Sequence, residues 1–235
     1  ASRTGLRFFE TICFMNVLLI TVSGVSYFVT AVTEEKDAGT FALLRLAGMT
    51  ALSVTLGKST SRLVSSLMLL VIQLPFTFLA ITLGGILWQQ IIASYLALAA
   101  WMVLVANLAL FCSVRCATSG RAAGMAGTIL LVVFLLPSLI TNGLAAFPPG
   151  VVPTFVSNLL TAIPSLLATF NIFDRLRVLL QTDDAVIFLG QQFWISIGVA
   201  LTLFVISTLT LDFWSAPVES AGPSENPAIR RWSVG

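Results

Sequence analysis

Residues 91–112 read IIASYLALAAWMVLVANLALFC, and this stretch decides the class of the protein. It contains no charged residue and is long enough to cross about 30 Å of hydrocarbon as a helix. Its apolar residues do not alternate with period two, which favours a helix over a barrel strand. Working outward, residues 11–32, 63–87, 122–142 and 188–211 are equally free of charge. Five spanning helices are expected. Pro75 falls inside the second and predicts a kink there. Only Trp88-Gln89-Gln90 separates the second span from the third, and Trp88 suits a headgroup-level anchor. The fourth span opens with Ala122, Ala123, Gly124, Ala126 and Gly127, a small-residue face suited to close helix packing.

Composition agrees. The chain of 235 residues is 57% hydrophobic and 9% charged, against roughly 25% charged in soluble domains. Its mean hydropathy is +1.00. There is no histidine, which excludes His-ligated zinc, haem and His-based acid–base chemistry. Cys13, Cys112 and Cys116 lie in or beside apolar runs and have too few companion ligands for a metal site. A net charge of +2 is too small to point to nucleic acid. Arg3 and Arg7 precede an apolar run that is too long for a cleavable signal peptide.

Basic residues give the expected orientation. Lys36, Arg45, Lys58, Arg62, Arg115, Arg121, Arg230 and Arg231 fall on one side; Arg3, Arg7, Arg175 and Arg177 fall on the other. The side with eight is expected to be cytoplasmic. That places the N-terminus outside, an arrangement that implies a further helix preceding Ala1. Residues 143–187 then face outward, and their apolar but Pro-broken sequence predicts short helices at or dipping into the membrane surface. Asp174, Arg175 and Arg177 in this segment suit a surface ion pair or an exit gate. Residues 215–235 are rich in Pro, Ser and Glu and read as a mobile cytoplasmic tail.

The densest polar cluster stands between the first two spans: Glu34, Glu35, Lys36 and Asp37, followed by Gly39 and Thr40. Gly39-Thr40 is suited to break one helix and cap the next. Phe41, Leu43, Leu44 and Leu46 supply an apolar surface for a short helix with Arg45 on its other side, and Gly48 ends it. Met49–Thr55 is expected as a second short turn, with Gly57-Lys58 opening the next span. On physical grounds alone the insert reads equally as a solvated positive-inside loop.

Thr33–Leu44 followed by Gly57-Lys58 resembles the signature of ABC-2 type transporter permeases. Further likenesses are to the gliding-motility-like branch of that family: Arg7-Phe8-Phe9 before the first span, Ile163-Pro164 to Phe173, Asp183–Leu189, and Leu211-Asp212-Phe213-Trp214. Asp37, Ala38, Phe41, Ala42 and Phe213 depart from the usual residues; those in the insert leave its helix break and apolar surface intact. The resemblance implies an all-α integral membrane fold, an ABC-2 type transmembrane domain over residues 1–214. It implies a six-helix subunit of a cell inner membrane exporter, with its first helix absent from this chain. Such a subunit pairs with a second permease subunit and docks on a cytoplasmic ABC ATPase, which carries the ATP and Mg. Residues 34–58 would be the coupling segment, with Glu34, Glu35, Lys36, Asp37, Gly39, Thr40, Phe41, Leu43, Leu44, Arg45, Leu46, Gly57 and Lys58 at the ATPase interface. The alternative from another class is a scaffold or signalling membrane subunit with the same fold.

No enzymatic chemistry is expected in this chain. Gly57-Lys58-Ser59 lacks the upstream glycine and strand of a phosphate-binding loop. Glu10 and Asp212 lie at span ends, so no carboxylate sits mid-span to couple protons. Asn16, Gln73 and Asn107 are the notable polar residues within spans, suited either to interhelical hydrogen bonds or to lining a translocation path. Ser119 and Arg121 form either a positive-inside loop or a second cytoplasmic contact.

Overall fold

The computed structural model describes residues 4–37, 51–116, 118–145, 171–181 and 190–214. These form α1 (Thr4–Asp37), α2 (Ala51–Ile72), α3 (Leu74–Leu83), α4 (Trp88–Arg115), α5 (Ser119–Ala145), α6 (Ile172–Gln181) and α7 (Gln191–Trp214). No strand occurs among the described residues. Among the described residues five stretches are long and apolar enough to cross a membrane: Thr4–Ala31, Leu56–Leu83, Trp88–Arg115, Ser119–Pro137 and Gln191–Thr210. The chain is a helical, multi-pass membrane protein.

The helix that contains residues 91–112 is the hub. In its most apolar window 83% of α4 is buried, against 39% for α1 and 22% or less for the other spans. Its small residues Ala93, Ala97, Ala100, Ala106 and Ala109 are all buried and let neighbouring helices approach closely. α1 and α7 pack along it. Trp101 and Val105 are fully buried at its middle. The Trp101 indole Nε1 donates to Thr21 Oγ1 of α1 at 3.2 Å. Nearer the other end, the Thr33 backbone N–H donates to Ser113 Oγ at 3.2 Å. α1 and α4 are thus pinned at two depths.

The second span is broken where Pro75 stands. Proline has no N–H to offer the carbonyl of Val71 and its ring disfavours a continuous helix. Gln73 takes φ −84°, ψ −6° as a turn between α2 and α3. Its carbonyl accepts from the N–H groups of Phe76 at 3.1 Å and Thr77 at 3.4 Å, which restarts the helix. α3 ends at Leu83, short of the expected Leu87, because Gly84 and Gly85 adopt φ of +81° and +88°. Here α1 passes so close that a Cβ at Gly5 would collide with the carbonyl oxygens of Ala80 and Gly84.

Other boundaries move for local reasons. Trp88-Gln89-Gln90 is not a linker but the first turn of α4, capped by Gln90 Oε1, which accepts the Leu87 N–H at 3.1 Å. From Ala51 onward the expected separate turn is already part of α2, so Gly57-Lys58 lies inside that helix rather than at its start. Gly57 faces open space and is simply carried along. The small residues of α5 divide: Ala122 and Ala126 are fully buried one turn apart, while a Cβ at Gly124 or Gly127 would meet nothing.

Within the expected outward segment, α6 is a short amphipathic helix. Ile172, Leu176, Leu179 and Leu180 are buried, and the helix packs against α1 and α4. Asn171 starts it: Oδ1 accepts the Phe173 N–H at 3.1 Å and Nδ2 donates to Asp174 Oδ2 at 2.9 Å. Phe173 meets Phe14 and Phe134 with ring centroids 5.6 and 5.3 Å away, and Phe134 continues to Trp101 at 5.4 Å. Arg177 lies over Phe14, 6.0 Å from its centroid. Burial lowers the pKa of the Arg175 guanidinium, which is wedged against Gly190. The tail 215–235 lies outside the described residues.

Candidate functional site

α1 and α2 are antiparallel, and each carries a polar stripe at seven-plus-four spacing. On α1 the stripe is Asn16, Ser23 and Tyr27; on α2 it is Arg62, Ser66 and Gln73. This spacing keeps residues on one helical face. Antiparallel register then brings Asn16 to Gln73, Ser23 to Ser66 and Tyr27 to Arg62.

The first two pairs line open space. A cavity of about 330 Å³ has walls that include Asn16, Ser23, Ser66 and Gln73, with Leu19, Ile20, Phe28, Leu69, Leu70 and Met102 as its apolar surface. A second, of about 350 Å³, adjoins it through Ser23, Gly24, Ser66 and Leu69 and extends to Tyr27 and Ser65. Together they form a groove between α1 and α2. Among the described residues no Asp, Glu, Lys or Arg lines either cavity.

The third pair closes the groove at its basic end. Arg62 Nη1 donates to the Tyr27 carbonyl and to Thr30 Oγ1. Its guanidinium also lies 5.1 Å from the centroid of the Tyr27 ring, a cation–π distance.

The polar groups deeper in the groove lack such partners. Asn16 is 3% exposed, and its carboxamide makes no hydrogen bond among the described residues. Gln73 Oε1 is buried with no partner among them. A buried acceptor left unsatisfied costs about 1–3 kcal/mol. Asn16 lies within the apolar stretch of α1, about 8 Å along the helix from Thr11 at 1.5 Å per residue. Asn107 does not join them: its Nδ2 donates to the Val103 carbonyl of the preceding turn at 2.8 Å.

The residues that sequence reasoning missed here are Ser23, Tyr27, Ser65 and Ser66. Their signal was present as the shared face with Asn16 on α1 and Gln73 on α2.

At the basic end, Glu34, Glu35, Lys36 and Asp37 form the last turn of α1. α1 continues past its apolar stretch, which ends at Ala31; α2 begins at Ala51, before its apolar stretch opens at Leu56. Both helices therefore extend beyond the apolar stretches on this side. Lys58 is half-buried, and Ser119 and Arg121 stand at the start of α5, Arg121 exposed. Gly39, Thr40, Phe41, Leu43, Leu44, Arg45 and Leu46 lie outside the described residues. Among the described residues no cluster of His, Cys, Asp or Glu is suited to hold a metal.

Comparison with protein-family models, curated proteins and solved structures gives no significant match for this chain.

Proposed function

We propose that the chain is the permease subunit of an ATP-driven exporter in the cytoplasmic membrane. It pairs with a second permease subunit and is gripped by a cytoplasmic ATPase through residues 34–58. The observation that carries this reading is the Thr33–Leu44 motif standing between two helices that both outrun their apolar stretches. A short segment joined to two rigid helices can convert displacement by a partner into tilting of those helices. Arg62 ties α2 to α1 just inside the membrane, so the pair would tilt together. The groove between them would then widen or narrow as the ATPase subunits close. ATP hydrolysis belongs to the partner.

Replacing Leu43 and Leu44 together by Asp tests the reading. The wild-type chain purified from its native membrane is expected to bring down an ATP-binding subunit in equal amount. The double variant is expected to insert normally and lose that subunit. A stable complex with other proteins and no ATP-binding subunit would instead establish a scaffold or signalling role.

A further inference from the structure

The geometry points to the groove between α1 and α2 as a binding site for one uncharged, lipid-like amphiphile. The ligand would carry an ester, amide or hydroxyl group held between the apolar stretches of α1 and α2 by Asn16 and Gln73. This deepens the permease proposal and rests on it only for the fate of the ligand once bound; occupation of the groove is a separate property with its own measurement.

The chemistry of the walls selects the ligand. Two carboxamides and the Ser66 hydroxyl converge on one cavity, offering both donors and acceptors. Asn16 is nearly fully buried without a side-chain partner among the described residues, and Gln73 Oε1 is orphaned. Trp101 and Thr21, which fasten α4 to α1, find each other. The two carboxamides do not. They are satisfied by something that enters the cavity with its own donor or acceptor.

That something is uncharged at this depth. Among the described residues no Asp, Glu, Lys or Arg lines either cavity to neutralise an ion, and an unpaired charge in an apolar surround is strongly disfavoured. The remainder of the ligand is apolar, because Leu19, Ile20, Phe28, Leu69 and Met102 make up the walls. Size sets the last limit. Adjoining cavities of about 330 and 350 Å³ fall in the range of small-ligand pockets, whereas a packed helix is about 10 Å across. The route of entry is lateral: the flanking Leu19, Leu69 and Ile72 are exposed to the surrounding membrane.

The test uses the full chain in nanodiscs of phosphatidylcholine with two diazirine-bearing probes, a monoacylglycerol and a phosphatidylglycerol. The monoacylglycerol is expected to label peptides covering residues 19–28 and 66–73, saturably and in competition with unlabelled monoacylglycerol. The anionic probe is expected to label these peptides weakly. Asn16→Leu with Gln73→Leu, which keeps side-chain volume, is expected to cut labelling by about tenfold, the loss of two modest hydrogen bonds. Ser66→Phe is expected to abolish it by filling the groove. Circular dichroism and gel filtration confirm that each variant is folded.

Absent or unsaturable labelling, equal labelling by both probes, or labelling unchanged in the double-leucine variant would each overturn the proposal. So would efficient disulfide cross-linking of two copies through Ser66→Cys, which would make the groove a subunit interface. Absence of an ATP-binding subunit from the purified wild-type chain, with labelling intact, would refute the permease reading alone.

Discussion

α1 carries two seams that look alike in composition and differ in use. Against α4 it is closed: Trp101 and Val105 are buried, and hydrogen bonds cross the seam from Trp101 to Thr21 and from Thr33 to Ser113. Against α2 it is open: Asn16, Ser66 and Gln73 face a cavity, and Arg62 at the basic end finds its partners on α1. Inside a membrane the helices gain little from apolar contact alone, since lipid tails are equally apolar. Packing and interhelical hydrogen bonds therefore mark the seam that holds the fold, and a cavity into which unpartnered carboxamides face marks the seam that admits a ligand.

Substitutions on the two seams should separate them. The largest effect is expected at the closed seam. Trp101→Ala removes a fully buried indole, its bond to Thr21 and its ring contact with Phe134. A loss of about 3–5 kcal/mol is expected for such a deletion, read as a large fall in thermal midpoint in detergent. Arg62→Ala comes next. It releases the basic end of the open seam and forfeits a cation–π contact and two hydrogen bonds, about 1–2 kcal/mol in all. A marked rise in spin-label mobility at Ser26→Cys, beside the Arg62 contacts, is expected with it. A fall in midpoint with unchanged mobility would show that Arg62 does not hold the two helices together. Ser113→Ala is the smallest. Interhelical hydrogen bonds in membranes average about 0.6 kcal/mol, so its midpoint should move only slightly. A fall as deep as that of Trp101→Ala would show that the Thr33 contact, not packing, secures α1 to α4.

The helices were largely legible because hydrophobic length is a strong signal: uncharged runs such as 91–112 leave little choice. Pro75 likewise announced the break at Gln73. The ends were less legible. Gln90 reads as a polar linker residue in sequence, yet folded it caps the helix it begins. Gly57 reads as a helix boundary, but in open space it costs only its own low propensity, and α2 runs through it. The site was legible in part. Asn16 and Gln73 stand out as polar residues in apolar runs, whereas Asn107, identical in kind to Asn16, turns back to Val103. Nothing in a single helix tells these asparagines apart. The distinction lies in what faces them: a cavity for one, the crowded hub helix for the other. The proposal that residues 34–58 couple to an ATPase rests on their sequence motif, since residues 38–50 lie outside the described structure.

The division between a seam that holds and a seam that binds is tested most directly by the thermal unfolding of Asn16→Leu with Gln73→Leu in lipid-free detergent. Replacing unsatisfied buried amides by apolar groups of similar volume removes a penalty and no bond. The midpoint is predicted to stay level or rise, in the opposite direction to Trp101→Ala. A fall comparable to that of Trp101→Ala would show that the two carboxamides fasten the fold, and would contradict the assignment of the groove as a site.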